Sequence, residues 1–285
     1  MTTIPELPRI LFEDIVRQGL VEDLGRGGDI TTDAIVEPGA VFSGNIVARQ
    51  GGRLAGAAVA ALAFELMDQT VEVEQVRADG DQVAPGMTLL ALKGPARAIL
   101  GAERTALNLL GHLCGIASLT ARFVEAVAGT AAKIVCTRKT TPGLRALEKY
   151  AVRCGGGFNH RFGLDDAVLI KDNHLVVAGS VVAAVRRARS TVGHTVRIEL
   201  EVDTLAQLEE ALGVGVDIVL LDNMEPSTLR TAVEMVGGRA ITEASGGITL
   251  ETAAEIAATG VDCLSVGALT HSAPCLDVGL DVKLG

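Results

Sequence analysis

The stretch VRIELEVDTLAQLEEALGVGVDIVLLDN, residues 196–223, contains one complete strand–helix–strand pattern. Apolar, β-rich runs at residues 196–202 and 217–221 predict two strands, and the periodic stretch 205–212 between them predicts a helix. A strand, a helix and a second strand in succession indicate parallel strands joined by a crossover helix. The stretch therefore predicts an α/β fold for this part of the chain.

Outside this stretch, the alternation of strands and helices continues through the second half of the chain. Further strands are predicted at residues 134–136, 167–170, 240–241 and 261–266, and further helices at residues 179–189, 227–236 and 250–258. Glu201, Asp222 and Glu243 stand near strand ends, 21 residues apart, as in a repeated βα unit. A doubly wound open sheet would also alternate, but no glycine fingerprint follows the first strand. We therefore predict an incomplete, six- to seven-stranded α/β barrel over residues 109–275.

The first third of the chain has a different pattern. Helices are predicted at residues 6–24, 57–67 and 101–127. Short strands are predicted at residues 41–50 and 71–76 and within residues 79–92. Asp-Gly and Pro-Gly turns separate the later strands, as in a small sheet. We predict an N-terminal α+β, sandwich-like domain of the hammerhead type over residues 1–108, with residues 276–285 packing back on it. Carrier domains of that type bear a modified lysine at a hairpin tip, and no lysine occupies such a turn here.

The chain is acidic overall but contains one basic segment. It has 25 lysines and arginines against 35 acidic residues, a formal net charge of −10. Residues 133–174 hold eight basic and four acidic side chains, so this segment is +4 and the remainder is −14. A local basic site in an acidic protein indicates a small, highly charged anionic ligand and argues against nucleic acid. From charge alone, a solvated basic surface is the alternative interpretation.

Composition sets limits on partners and location. Hydrophobic residues make up 48% of the chain, and the absence of Trp with a single Tyr leaves little aromatic surface for stacking bases. The longest apolar run, residues 54–64, is about half as long as a bilayer span, and no signal-peptide pattern is evident. The five cysteines contain no CxxC pair and are interpreted as reduced packing residues. We therefore expect a cytoplasmic protein that binds neither nucleic acid nor a membrane.

Two late strands are followed by glycine-containing loops. Residues 245–247 (Ser-Gly-Gly) precede a helix that begins near Leu250, and residues 267–268 (Gly-Ala) follow the last predicted strand. In α/β barrels the loops after the last strands often bind phosphate, because free backbone N–H groups point outward there. The same glycines also suit ordinary tight turns. Phosphate binding is therefore a hypothesis at this point.

An ordered set of short motifs extends nearly from end to end. The motifs are Asp29-Ile30-Thr31-Thr32, Glu103-Arg104-Thr105, Thr137-Arg138-Lys139-Thr140, Gly143-Leu144-Arg145, Glu148-Lys149-Tyr150, Gly155-Gly156-Gly157, Asn159-His160-Arg161, Lys171-Asp172-Asn173-His174, Glu201-Val202-Asp203, Leu221-Asp222-Asn223, Ser245-Gly246-Gly247 and Val266-Gly267-Ala268. Together they resemble the quinolinate phosphoribosyltransferase family. Cys136 before Thr137 and Ala244 before Ser245 are minor departures, and neither lies at a position that the family uses for chemistry.

The resemblance implies a reaction and a set of site residues. Quinolinate attacks C1 of phosphoribosyl pyrophosphate, pyrophosphate leaves with Mg²⁺, and the 2-carboxylate is lost as CO₂ to give nicotinate mononucleotide. The implied residues are Arg104, Thr137, Arg138, Lys139, His160, Arg161 and Lys171 for quinolinate, Glu201 and Asp222 for ribose and metal, and Ser245, Gly246, Gly247, Val266, Gly267 and Ala268 for the 5′-phosphate. Lys139, Lys171, Glu201 and Asp222 are implied to be catalytic. Independently of the resemblance, planar arginine forks suit the adjacent carboxylates of quinolinate.

The resemblance also implies a homodimer in which Arg104 completes the pocket of the partner subunit. The expectation rests on the position of Arg104 in the predicted helix before the barrel, outside the series of strand ends. A surface charge or an interface salt bridge is the alternative role for this residue.

Three other functions stay open from the sequence. One is a barrel aldolase that uses Lys171 or Lys139 as a Schiff base, although the surplus of arginine favours anion binding. Another is a related phosphoribosyltransferase for a different pyridine or pyrimidine acid, or a family relative encoded with molybdate transport. The last is a barrel-shaped binding module without catalysis, because a fold alone does not determine function.

Overall fold

The computed structural model describes residues 4–282 and divides into two compact units. The first contains the residues up to Ala121, Thr140–Gly156 and the residues from Leu269 onward, and the second contains Arg122–Lys139 and Gly157–Ala268. The expected domain boundary between residues 108 and 109 does not coincide with this division. It would cut one continuous helix, Ala96–Ala126, most of which belongs to the first unit.

The helices and strands follow one another in the order that the sequence patterns predict, with several additional helices. The helices are a 3-10 turn at Arg9–Leu11, α1 Glu13–Leu24, α2 Ile30–Ile35, α3 Ala57–Met67, α4 Ala96–Ala126, α5 Arg145–Cys154, α6 Asp172–Ala178, α7 Val181–Thr191, α8 Leu205–Val214, α9 Pro226–Val236, α10 Leu250–Ala257 and α11 Ala268–His271. The strands are β1 Val41–Ala48, β2 Gly52–Arg53, β3 Glu72–Gln75, β4 Gln82–Val83, β5 Thr88–Pro95, β6 Lys133–Val135, β7 Val168–Ile170, β8 Ile198–Val202, β9 Ile218–Asp222, β10 Ile241–Ser245, β11 Cys263–Ser265 and β12 Val278–Val282.

The first unit is built on an antiparallel sheet in the order β12-β1-β5-β3, with β2 and β4 forming a separate two-stranded ribbon. The C-terminal strand β12 pairs with β1 from Gly44↔Val282 to Ala48↔Val278. Helix α3 contacts β3 and β5, and three of its six buried residues are alanines, which allow a helix to approach a sheet closely. The predicted N-terminal α+β sheet domain is therefore confirmed.

The apolar face of the first helix differs from the prediction. The sequence pattern assigns Ile10 and Leu11 to it, but these side chains are 86% and 48% exposed. They lie in the 3-10 turn, and α1 begins only at Glu13, so the helical periodicity starts later than expected. The buried residues of α1 are Val16 and Leu20.

The three consecutive glycines at 155–157 have a packing role in the first unit at Gly155. A β-carbon at Gly155 would lie 2.4 Å from the carbonyl oxygen of Ala117 and 2.5 Å from Thr120 Cβ. Only glycine allows the end of α5 to approach α4 this closely. Gly156 follows with a φ of +86°, a backbone conformation that other residues rarely adopt.

The second unit contains a parallel sheet in the order β6-β11-β10-β9-β8-β7. The first strand thus lies beside the last, as in a barrel, and an isolated parallel bridge between Val135 and Phe158 extends the β6 side. Strands β6 and β7 lie at the two edges of this sheet and do not pair with each other, so the barrel is not closed within the described residues. The predicted incomplete α/β barrel of six strands is confirmed. Its helices α7 to α10 connect successive strands as crossover elements.

By length and composition alone, α4 could cross a membrane. However, 56% of the residues in its most apolar window are buried within the protein. Core helices of globular proteins have the same length and composition, so the helix by itself indicates nothing about a bilayer.

All five cysteines lie in the described residues, and none of them forms a disulfide there. Cys114, Cys136 and Cys154 are buried, which fits the predicted packing role, whereas Cys275 is exposed and does not. Burial raises the pKa of the Cys114 thiol to about 12, so this thiol stays protonated at neutral pH.

Candidate active site

Glu201, Asp222 and Ser245, the polar residues predicted at strand ends, lie on one face of the parallel sheet. The register sets Glu201 level with Leu220, and Asp222 level with Ser245. Because side chains alternate along a strand, Leu220 and Asp222 point to the same face, and so do Glu201 and Ser245. Three neighbouring strands therefore bring three predicted site residues to one side of the carboxyl edge.

Lys171 joins this group from the next strand. It follows β7 directly, and its Nζ forms an ion pair with Glu201 Oε2. The Glu201 side chain is only 13% exposed, whereas that of Lys171 is 47% exposed. Two residues predicted to serve different substrates, quinolinate and phosphoribosyl pyrophosphate, are thus direct neighbours.

A second polar cluster lies on the same face and is largely buried. His160 Nε2 lies 3.0 Å from Glu199 Oε2 and 3.6 Å from Glu243 Oε1. The Oε1 atoms of both glutamates are buried and have no hydrogen-bond partner within residues 4–282. Sequence reasoning assigned His160 to the site but missed Glu199, and it noted Glu243 only as a strand end. The available signal was a charged residue in the middle of the apolar strand β8.

Burial and like charge act together on Glu243. Loss of solvation and, to a smaller extent, the nearby charge of Glu199 raise its pKa to about 7, while His160 acts in the opposite direction. The Glu243 carboxyl is therefore protonated in part of the molecules at neutral pH.

The positions of the ring nitrogens of His160 determine what this cluster can bind. The backbone N–H of Arg161 donates to His160 Nδ1 at 2.8 Å, so the ring proton is assigned to Nε2. One possible ligand atom from each of the three side chains lies within 4.8 Å of the other two. A histidine that binds metal normally donates a proton from its other nitrogen, which Nδ1 lacks here. The cluster therefore fits a hydrogen-bonded network better than a metal site.

Two arginines predicted to bind quinolinate act on each other. Burial lowers the pKa of Arg161, and the positive charge of Arg138 lowers it further. Arg161 Nη1 donates to the carbonyl oxygen of Ala167 at 2.9 Å. In the same loop, the carboxylate of Asp166 accepts the backbone N–H groups of Phe162 and Gly163. Glu199 and Asp166 act on the Arg161 pKa in the opposite direction. The Arg161 guanidinium is thus influenced by a second cation as well as by two carboxylates, and two neighbouring guanidinium groups suit an anion.

The loop after β10 contains the predicted Ser-Gly-Gly phosphate motif. Gly246 has a φ of +94°, and a β-carbon there would lie 2.1 Å from Asn223 Oδ1. Asn223 itself has a φ of +53°, donates its backbone N–H to Ser245 O at 2.9 Å, and donates its side-chain amide to Asp222 Oδ2 at 2.6 Å. Asn223 therefore links the ribose-side carboxylate to the glycine loop. It was part of a motif in the sequence but was not predicted as a site residue.

The remaining predicted residues differ in their surroundings. Gly267 and Ala268 directly follow β11, while the side chain of Val266 is 1% exposed and packs in the core. Thr137 Oγ1 accepts the backbone N–H of Lys139, which shapes the turn after β6. Arg104 lies in the first unit, on α4, with an exposed side chain.

Comparison with known proteins covers almost the whole chain. Residues 29–114 match the N-terminal domain of quinolinate phosphoribosyl transferase, and residues 116–281 match its C-terminal domain. The chain is 46% identical over 273 residues to a probable nicotinate-nucleotide pyrophosphorylase [carboxylating] of Bacillus subtilis, covering 96% of this chain and 94% of the relative. It is 49% identical over 277 residues to the nicotinate-nucleotide pyrophosphorylase [carboxylating] of Mycobacterium leprae, covering 94% and 96%.

The solved structures agree with this assignment. A crystal structure of NadC from Streptococcus pyogenes superimposes with a TM-score of 0.94 at 40% identity, covering 98% of this chain and all of that one. The structure of the nicotinate-nucleotide pyrophosphorylase from Francisella tularensis also gives a TM-score of 0.94, at 37% identity, covering 99% of this chain and 100% of that chain. Both units, the motifs and the fold thus lead to one conclusion: the chain belongs to the quinolinate phosphoribosyltransferase family.

Proposed function

We propose that this enzyme transfers the phosphoribosyl group from phosphoribosyl pyrophosphate to quinolinate and decarboxylates the product. The ring nitrogen forms a bond to C1 of the ribose, and the bond from C1 to pyrophosphate breaks. The bond to the 2-carboxylate then breaks, CO₂ leaves, and the electron pair that stays on the ring carbon takes up a proton. The products are nicotinate mononucleotide, pyrophosphate and CO₂, on a route to NAD.

The observation that carries this proposal is the pairing of Arg138 with Arg161. Holding two guanidinium groups close together is unfavourable unless an anion binds between them. Quinolinate has two adjacent carboxylates, and each arginine can bind one of them through two parallel hydrogen bonds. Lys139 and Lys171 would add positive charge around the same ring. When the carboxylate is lost as CO₂, the positive ring nitrogen stabilises the electron pair that stays on the neighbouring carbon, and a pocket that excludes water favours this step.

Glu201 and Asp222 are proposed to bind the ribose hydroxyls and Mg²⁺. Each carboxylate has one oxygen engaged, with Lys171 or Asn223, and one oxygen left for a ligand. Carboxylate oxygens from one or two residues, completed by substrate phosphates and water, suit Mg²⁺. The bound ion would neutralise charge on the departing pyrophosphate. The two carboxylates would stabilise the positive charge that develops at the ribose carbon.

The loops after β10 and β11 are proposed to bind the 5′-phosphate. Ser245, Gly246 and Gly247 offer a hydroxyl and backbone N–H groups at the start of the loop that leads to α10. Gly267 and Ala268 would contribute backbone N–H groups. Val266 would act only through its backbone, because its side chain is buried.

We also propose that the working enzyme is a cytoplasmic homodimer in which Arg104 completes the partner's quinolinate pocket. Arg104 is exposed on α4, and the first unit exposes several large apolar side chains, including Ile10, Val21, Ile30 and Ile35. Exposed large apolar side chains of this kind would lose contact with water in a subunit interface. A two-fold dimer would then contain two identical shared sites.

A direct assay tests the reaction. Purified protein is incubated with quinolinate, phosphoribosyl pyrophosphate and Mg²⁺, and nicotinate mononucleotide and pyrophosphate are quantified together. The proposal expects equal amounts of both products and a loss of turnover when EDTA removes the metal. Trapping with borohydride tests the aldolase alternative, and the expected result is no covalent adduct on Lys171 or Lys139. Quinolinate binding without pyrophosphate release would instead identify a binding module.

A further inference from the structure

His160 lies next to the quinolinate-binding arginine, but both of its ring nitrogens are already engaged within the protein. Nδ1 accepts the backbone N–H of Arg161 at 2.8 Å, and Nε2 faces Glu199 Oε2 at 3.0 Å. A neutral imidazole has one donor and one acceptor, and both are used here. His160 therefore has no ring donor left for a substrate carboxylate.

Glu199, which accepts the hydrogen bond from His160, is held in place by its position on a buried strand. Glu199 projects from β8, where it is level with Leu169 and Ile218 of the neighbouring strands, and it is 3% exposed. Glu243 projects from β10 within the same cluster and is 5% exposed. Side chains on buried strands have few alternative rotamers, so their carboxylates are rigid acceptors.

The charge of the cluster is consistent with this arrangement. Two ionised glutamates at this depth would repel each other, and only one histidine proton faces them. A neutral Glu243 carboxyl reduces this repulsion while Glu199 accepts the hydrogen bond from His160. Ser265 of β11 also faces Glu243.

We infer that Glu199 is a positioning residue for quinolinate binding and acts through His160 on Arg161. The hydrogen bond to Glu199 orients the imidazole of His160. The imidazole Nδ1 in turn accepts the backbone N–H of Arg161. These two contacts fix the backbone at the start of the loop that carries the Arg161 guanidinium. Geometry of this kind affects binding strongly, because a bidentate contact tolerates little displacement. The inference rests on the proposed function, which assigns quinolinate to Arg161.

Kinetics of two Glu199 variants test the inference. Glu199→Leu removes the acceptor, and we expect the KM for quinolinate to rise at least about tenfold while the KM for phosphoribosyl pyrophosphate stays within about twofold. Glu199→Gln keeps a carbonyl oxygen for His160 and should recover most of the quinolinate affinity. Glu209→Leu, on the exposed face of α8, is the control for general effects of the substitution. A Glu199→Leu enzyme with an unchanged quinolinate KM would overturn the inference.

The protonation of His160 gives a second readout that does not depend on activity or on the folding of the leucine variant. In ¹⁵N-histidine NMR of the whole enzyme, His160→Gln identifies the His160 resonances among the five histidines. The inference expects an unprotonated Nδ1 and a protonated Nε2 throughout the range from about pH 6 to pH 8, in contrast to a free imidazole. A protonated Nδ1 at neutral pH would overturn it. If wild-type enzyme forms no nicotinate mononucleotide, the proposed function fails, but the NMR result still decides the His160 assignment.

Discussion

Gly246 lies so close to Asn223 that a β-carbon at position 246 would come within 2.1 Å of the Asn223 side-chain oxygen. Asn223 in turn donates its amide to Asp222. The close approach therefore couples the proposed phosphate loop to the proposed ribose-binding carboxylate.

Gly246→Ala is expected to displace Asn223 and to weaken binding of phosphoribosyl pyrophosphate. We expect the KM for this substrate to rise at least about tenfold, and the free energy of unfolding to fall by roughly 2–4 kcal/mol from backbone strain and overpacking. Gly238→Ala is a matched control, since Gly238 also has a positive φ of +76° but has nothing within 4 Å of its β-carbon position. That control should lose only about 1 kcal/mol of stability. Equal effects of the two substitutions on the KM would refute the coupling.

Replacing Arg138 by lysine keeps the charge but removes the planar fork. We expect the KM for quinolinate to rise by at least about an order of magnitude, because one ammonium cannot reproduce two parallel hydrogen bonds to a carboxylate. Steady-state kinetics provide the measurement, with Arg187→Lys on the exposed face of α7 as the control. Unchanged kinetics of the Arg138 variant would show that this residue does not bind a substrate carboxylate.

The enzyme is expected to discriminate strongly between quinolinate and nicotinate. Nicotinate lacks one carboxylate, so it would leave a partly buried cation without its partner. We expect kcat/KM for quinolinate to exceed that for nicotinate by at least about a thousandfold. Comparable efficiency with both acids would contradict the two-arginine site.

The carboxyl pair formed by Glu199 and Glu243 predicts a pH-dependent stability difference. Because the pKa of Glu243 is raised to about 7, its contribution to stability is fully present below the unfolded pKa and is lost as the pH rises through about 7. Glu243→Gln keeps a neutral side chain at every pH. The variant should therefore match wild type at pH 5 and be more stable at pH 8 by roughly 1–3 kcal/mol. Urea unfolding of both proteins across this range measures the difference, and a difference independent of pH would count against the raised pKa.

Complementation tests the shared site at Arg104. Arg104→Ala and Lys139→Ala are each expected to be inactive, and they are unfolded and refolded together. If Arg104 acts across the interface, mixed dimers contain one intact site and restore about a quarter of wild-type activity. Activity that stays near zero in the mixture would place Arg104 in its own subunit's site. Full activity of Arg104→Ala alone would remove it from the site altogether.

The strand and helix alternation of the second unit was predictable because parallel strands covered on both faces appear as apolar runs in the sequence. Helix α5 was missed for a physical reason. Its charged residue Glu148 is fully buried, where it accepts from the Thr141 backbone N–H at 3.1 Å and lies 2.9 Å from His112 Nε2. Leu147, Ala151 and Cys154 are buried at helical spacing, but the buried charged residues beside them obscure this apolar pattern when the sequence alone is considered.

Glu199 was missed for a related reason. A glutamate in a short apolar strand is normally assigned to a solvated face, and its burial here depends on tertiary contacts such as the one with His160. By contrast, the strand-end residues Glu201, Asp222 and Ser245 could be predicted, since the carboxyl ends of parallel strands meet at one edge. Asn223 lies next to them in the sequence, but its link to Gly246 depends on contact between two loops.

In the proposed reaction, loss of the 2-carboxylate depends on phosphoribosyl transfer, and an isotope experiment tests this coupling. Quinolinate labelled with ¹³C in the 2-carboxyl group is supplied with phosphoribosyl pyrophosphate and Mg²⁺, and labelled CO₂ and the mononucleotide are quantified. We predict one labelled CO₂ for each nicotinate mononucleotide, and none when phosphoribosyl pyrophosphate is omitted. A mononucleotide that retains the label, or labelled CO₂ released without phosphoribosyl pyrophosphate, would contradict it.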